Sequence, residues 1–130
     1  PSRARPAVPE LPETETIARD LHDALRGAVV AGVLVPRPSV LREVDAPTLA
    51  ARLVGRACAR VWRRAKLVVL DLAPAGDAEP GDAAAPDRLV VQPRFTGALL
   101  LEAPDAPLPE RERPFVRATF ALADGRALHY

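Results

Sequence analysis

"ACARVWRRAKLVVLDLA", residues 57–73, decides what kind of fold this chain can form. Its β-branched and aromatic residues suit the pleated, half-buried surface of a sheet. The polar cluster "RRAK" at 63–66 interrupts the run, so it reads as two strands, or as one bent strand, with Arg63, Arg64 and Lys66 close together near the bend. The flanking patterns extend this reading. On the amino-terminal side, Ile17, Leu21 and Leu25 recur every four positions and Gly27 follows, which predicts a helix from Thr14 to Arg26 with a glycine cap. "AVVAGVLVP" at 28–36 reads as a buried strand stopped by Pro36 and Pro38, and "APTLAARLVG" at 46–55 as a short helix begun by Pro47 and ended by Gly55.

On the carboxyl-terminal side come "RLVVQ", "GALLLE", "FVRATFALA" and "RALHY", with Asp124-Gly125 as a tight hairpin turn between the last two. Residues 73–87 and 103–114, rich in alanine, proline and charge without apolar periodicity, are expected as mobile loops. The fold class is therefore mostly β with flanking helices, a two-layer antiparallel β-sandwich with an N-terminal helix. "RALHY" reads as an edge strand that stops at the last residue, which suggests a chain cut short.

Composition narrows the function. The 130 residues are 48% hydrophobic, enough for one domain that buries a core without disulfides. The single cysteine, Cys58, makes neither an internal disulfide nor a four-ligand zinc site, so a metal-free, cytoplasmic protein is expected. No apolar run approaches membrane-spanning length, so no membrane partner is expected. A net charge of +1 is weak evidence for a polyanion partner. Distribution says more: 17 of the 18 basic residues are arginine, so the one lysine, Lys66, stands out. On composition alone it reads first as a solvated strand residue.

The opening "AVPELPETETI", residues 7–17, poses a separate problem. Pro12 suits a first helical turn, and Glu13 and Glu15 complement the positive end of the helix dipole. Pro9 and Glu10 are left without a structural reason. A proline at an amino terminus is a secondary amine, and α-amino groups titrate near 7.7 to 8.0 against about 10.4 for lysine, so part of it is neutral and nucleophilic at physiological pH. Attack on a sugar C1′ gives an iminium, the Schiff-base form of covalent catalysis. Glu10 could protonate the ring oxygen that must open, and Lys66 could move protons later.

With "PELPETET" ahead of an amphipathic helix, then "LVGRACARVWRRAKLVVLDL", "LVVQPRFTGALLLE" and "DGRALHY" in that order, the chain resembles the N-terminal domain of formamidopyrimidine-DNA glycosylase and endonuclease VIII, bacterial repair enzymes for oxidised bases. The resemblance runs from Pro9 to Tyr130. It implies a base-excision repair glycosylase with AP lyase activity, acting on damaged double-stranded DNA as a monomer and associated with the nucleoid when bound. It implies that Pro9 attacks C1′ and forms the Schiff base, that Glu10 assists sugar opening, that Glu13 supports the site, and that Lys66 transfers protons and contacts the lesion phosphate, with Arg64 beside it on the DNA.

Departures from the family pattern accompany the matches. "QPRFTG" replaces the more usual His-Leu-Gly-Met-Thr/Ser-Gly. Phe95 falls where the methionine enters the gap left by the everted base, an apolar wedge suited to base flipping, although it also reads as a core aromatic. Arg94 reads as a phosphate contact or as a solvated residue. "RPFVRA" at 113–118 stands where many members carry DNA-contacting histidines.

Eight residues precede Pro9, and they read as a disordered leader. A GTG initiator codon at Val8 would make Pro9 the mature first residue. Beyond "LHY" the family continues into a helical domain that usually carries a zinc finger. The expected organisation is thus a leader at 1–8 and a catalytic domain at 9–130, with no cofactor in this chain, weak DNA binding and little activity alone. The alternative is a non-catalytic DNA-binding or interaction module of the same fold.

Overall fold

The computed structural model describes residues 11–74, 87–92 and 99–130. Helix α1 spans Leu11–Leu25, three residues earlier than the apolar periodicity marks, because Pro12 is tolerated in the first turn. Its buried stripe is Thr14, Ala18, Leu21 and Leu25, a helical spacing in which Ile17 is only half-buried. Strand β1, Val30–Leu34, follows, and then helix α2, Ala46–Leu53, whose Asp45 side chain caps the Thr48 amide at 2.8 Å.

The stretch 57–73 resolves into two strands rather than one bent strand. Strand β2, Arg56–Arg64, and strand β3, Leu67–Pro74, pair antiparallel, with Arg64 opposite Leu67 as the last pair. Strand β4, Asp87–Val91, completes this sheet in the order β2-β3-β4. The second sheet contains β1, β5 (Leu100–Glu102), β6 (Thr119–Leu122) and β7 (Ala127–His129) in the order β1-β6-β7-β5. All the pairings are antiparallel. Leu21, Leu25, Val61, Leu70, Phe120 and Leu128 share one core with both sheets and α1. The two-layer sandwich with its N-terminal helix is as expected.

Several local expectations are corrected. β1 is an edge strand, not a buried one: only Val30 of its five residues is buried, and its Leu34 is largely exposed. "RALHY" is not an edge strand, because β5 pairs with β7 on the side away from β6. The segment 103–114 is organised: Ala103 and Ala106 form an isolated bridge, and Glu110–Phe115 forms a 3-10 helix. The Glu102 carboxylate accounts for this by accepting from the Leu108 amide and from Arg113, each at 2.9 Å. That 3-10 helix and the bonding of the Arg117 and Ala118 amides to the Tyr130 carbonyl leave only 119–122 of the stretch 115–123 as strand. The Asp124-Gly125 hairpin is as expected, with Gly125 at φ +94. The loop at 75–86 lies outside the described residues.

The outer edge of β2 is covered by α1 and the chain that follows it. His22 Nδ1 accepts from the Val61 amide at 3.1 Å, the Gly27 amide donates to Cys58, and the Cys58 amide donates to Ala28. An edge strand whose backbone groups are met in this way is protected from further pairing. It also fixes α1 alongside β2 over its length.

Candidate functional site at the β2–β3 turn

The site is built where α1 begins and the β2–β3 hairpin turns. Arg63, the penultimate residue of β2, has its guanidinium half-buried between these two features. Its Nε donates to Glu15 Oε1 at 3.0 Å, and its Nη1 donates to the Ala65 carbonyl oxygen at 3.0 Å. Arg19 reaches the other oxygen of Glu15 at 3.3 Å. The hydrogen bond from Arg63, followed by Arg19, holds the Glu15 carboxyl below the usual carboxylate range. Glu15 sits four residues into α1, about 6 Å along the axis from its first residue. The hairpin turn is thus tied to the amino-terminal end of the helix.

Arg64 and Lys66 flank this tie and are exposed. Neither has an ion pair or a side-chain hydrogen bond among the described residues. Other arginines of this sheet, and Arg52 of α2 beside it, are committed. Arg52 and Arg56 pair with Asp87, while Arg60 and Arg88 lie over the Trp62 ring at 4.9 and 5.7 Å from its centroid. The turn therefore presents two cations, uncommitted among the described residues, beside the positive end of the α1 dipole, a setting that favours an incoming anion. Glu13 is exposed in the first turn of α1 on the same end.

Of the residues singled out in the sequence, Lys66, Arg64 and Glu13 are thus gathered at one end of the sandwich. Pro9, Glu10, Arg94 and Phe95 lie outside the described residues. Glu15 and Arg63 were the residues that the sequence reading passed over, one assigned to the helix dipole and the other to the basic cluster. No signal in the sequence pairs them, since 48 positions separate them. Among the described residues, no cluster of three His, Cys, Asp or Glu side chains is arranged to hold a metal ion. The Cys58 thiol is buried in the core, and burial raises its pKa, which keeps it protonated and inert.

A second polar cluster lies in the four-stranded sheet. His129, nearly fully buried, faces Glu102 Oε1 with Nε2 at 2.8 Å and Thr119 Oγ1 with Nδ1 at 2.9 Å. The Leu108 amide, His129 and Arg113 together bring the Glu102 pKa down to about 2. Both ring nitrogens of His129 and both carboxylate oxygens of Glu102 have partners within the fold.

The fold and site define a class of domain: an antiparallel two-sheet sandwich that carries a basic hairpin turn against the start of its first helix. The chain belongs to the formamidopyrimidine-DNA glycosylase N-terminal domain family, whose sequence model matches residues 8–130. It is 35% identical over 123 residues to a formamidopyrimidine-DNA glycosylase of Moorella thermoacetica, covering 95% of this chain and 39% of that protein. It is 33% identical over 125 residues to that of Deinococcus radiodurans, covering 95% and 38%. Among solved structures, it resembles a Lactococcus lactis Fpg in complex with DNA containing an abasic site, at TM-score 0.71 and 24% identity, covering 93% of this chain and 39% of that one. It also resembles the Lactococcus lactis enzyme with a Fapy-dG-containing DNA, at TM-score 0.69 and 26% identity, covering 92% and 39%. The chain thus spans about two fifths of the length of these relatives.

Proposed function

We propose that this chain is the catalytic domain of a base-excision repair DNA glycosylase that also cleaves abasic sites, with residues 9–130 as the domain and 1–8 as a leader that the mature protein lacks. The observation that carries this reading is the family match over 8–130, which includes the opening Pro9-Glu10 motif and the turn that holds Lys66. The tie between that turn and α1 supports it. Chain reach keeps Pro9 within about 7 Å of Leu11, and Leu11 is one helical turn from the Glu15–Arg63 contact.

In this mechanism the neutral Pro9 amine attacks C1′ of the damaged nucleoside. The C1′–N bond breaks and the base leaves with its electron pair, taking up a proton. Glu10 gives a proton to the ring oxygen as the C1′–O4′ bond opens, and the amine loses its own proton as the iminium forms. Loss of a C2′ proton then expels the 3′ phosphate by β-elimination. Lys66 contacts the phosphate at the lesion and serves these proton transfers, and Arg64 adds a second phosphate contact. Phe95 fills the gap left by the everted nucleotide, and Arg94 meets a neighbouring phosphate. Glu13 supports the site from the first turn of α1. Damaged duplex DNA is the substrate, the cytoplasm is the compartment, and bases lesioned by oxidation are the targets.

The experiment is borohydride trapping on a duplex with one abasic site, run on the chain as given and on the same chain beginning at Pro9. A covalent adduct only with the second is the expected result, because only there is the Pro9 nitrogen an amine. If the shorter chain also fails to trap, yet still binds the duplex, the non-catalytic module of the same fold replaces the enzyme.

A further inference from the structure

The turn that carries Lys66 has an unusual feature with a mechanical consequence. Arg64 and Leu67 are the last paired residues of β2 and β3, so Ala65 and Lys66 form a two-residue hairpin loop. Such loops take the type I′ or type II′ conformation, and both place the first loop residue at positive φ. The two types differ by a flip of the peptide that joins the loop residues. That flip puts the second residue at positive φ in type I′ and at negative φ in type II′.

Ala65 lies at φ +53 and, with Glu43, is one of the two non-glycine residues at positive φ among those described. Lys66 is therefore on the negative side, the type II′ pattern. That pattern favours glycine at its first position, and alanine there is strained. Something must hold the strained arrangement. The Ala65 carbonyl belongs to the peptide that would flip, and it accepts from Arg63 Nη1 at 3.0 Å. The same rigid guanidinium is anchored through Nε to Glu15 of α1, also at 3.0 Å. A planar fork satisfies both acceptors at once, which a single ammonium on a flexible stem cannot do with the same geometry.

We infer that Arg63 is a positioning residue: it clamps the Ala65–Lys66 peptide in one of its two orientations against the start of α1, and so sets the direction in which Lys66 leaves the turn. An ion pair this exposed contributes little to stability. Its value lies in holding the strained turn geometry, and with it the direction in which the backbone carries Lys66 away from the turn. The catalytic half of this inference rests on the Schiff-base reading proposed above. The turn geometry does not.

The test has one readout for each half. The first is the intraresidue Hα–HN NOE of Lys66 by NMR, which becomes strong when φ turns positive. It is expected to be weak in the unaltered chain and strong in Arg63→Gln, with core amide shifts unchanged. Arg63→Lys, which keeps a cation opposite Glu15 and so protects the fold, is expected to behave like Arg63→Gln. An unchanged Lys66 NOE in both variants would overturn the clamp.

The second readout is the rate of borohydride trapping on the abasic duplex by the chain beginning at Pro9. Displacements near 1 Å at a reacting centre cost up to about a hundredfold, so a reorientation at one remove is expected to slow Arg63→Gln about tenfold. In a Lys66→Ala background the same substitution is expected to add no further loss. An equal loss in both backgrounds means that Arg63 does not act through Lys66, and the positioning role falls. If the unaltered chain never traps DNA while the Lys66 NOE responds as expected, the Schiff-base reading fails and the clamp stands.

Discussion

Two charged clusters of this domain, one around His129 and one at the β2–β3 turn, are arranged in opposite ways. Around His129, every donor and acceptor is turned inward: the Glu102 carboxylate takes hydrogen bonds from the Leu108 amide, Arg113 and His129, and His129 closes the chain on Thr119. Around the β2–β3 turn Arg63 is committed, while Arg64 and Lys66 are exposed and make no ion pair or side-chain hydrogen bond among the described residues. A satisfied, buried network specifies packing, and its disruption is felt by the whole fold. Cations exposed at a turn add little to folding and can meet an incoming anion. The comparison assigns stability to one cluster and recognition to the other.

The strongest way to break this division is Lys66→Ala. Removing an exposed, unpaired side chain is expected to change folding stability by no more than about 0.5 kcal/mol. The proton-transfer role proposed for it makes the expected loss in trapping rate on abasic DNA about a hundredfold. A melting curve and a trapping time course on the same preparation decide it. Loss of stability without loss of trapping would reverse the assignment of this cluster.

His129→Ala is the converse. It strips one partner from Glu102 and from Thr119 and opens space in a buried site, so a loss of about 2 to 3 kcal/mol is expected in denaturant unfolding. Trapping per folded molecule should be unchanged. A variant that retains full stability but traps poorly would mean that this cluster, not only the turn, serves the reaction.

Acid sharpens the same point. The Glu102 pKa falls from an unfolded-state value near 4.5 to about 2 in the fold, so its contribution is complete above about pH 4.5 and is lost as pH falls toward and through 2. The stability difference between the unaltered chain and Glu102→Gln should therefore be constant near neutrality and shrink steadily below about pH 4.5. Urea midpoints at pH 6, 4 and 3 for both chains measure it. A difference independent of pH would mean that the carboxylate charge is not what the network uses.

How far these features could be read from the sequence follows from the range of the forces involved. The hairpin at 57–73 was legible because β-branched runs and a polar interruption are local signals, and so was the Asp124-Gly125 turn. Lys66 was legible because an almost lysine-free chain makes one lysine conspicuous. The Arg63–Glu15 contact was not, since it joins residues that only the docking of α1 along β2 brings together. Likewise 103–114 looked irregular because no pattern within it announces that Glu102, just before it, will gather Leu108 and Arg113. The interior position of β7 depended on the pairing of β5, whose three residues give little signal of their own.

The smallest expected effect separates the clamp from simple charge. Arg19 also pairs with Glu15, at 3.3 Å, but its side chain is 72% exposed and it makes no contact with the turn. Such an i, i+4 pair on a helix surface contributes about 0.3 to 0.5 kcal/mol and weakens in salt. Arg19→Ala leaves Glu15 bonded to Arg63, and Arg63 bonded to the Ala65 carbonyl. The melting temperature should fall by a degree or two at most, and neither the Lys66 NOE nor the trapping rate should move. If Arg19→Ala slowed trapping as much as Arg63→Gln, positive charge near the start of α1 would be the operative quantity. The fork that Arg63 makes between helix and turn would then be incidental, and the contrast between the two clusters would rest on Lys66 and Arg64 alone.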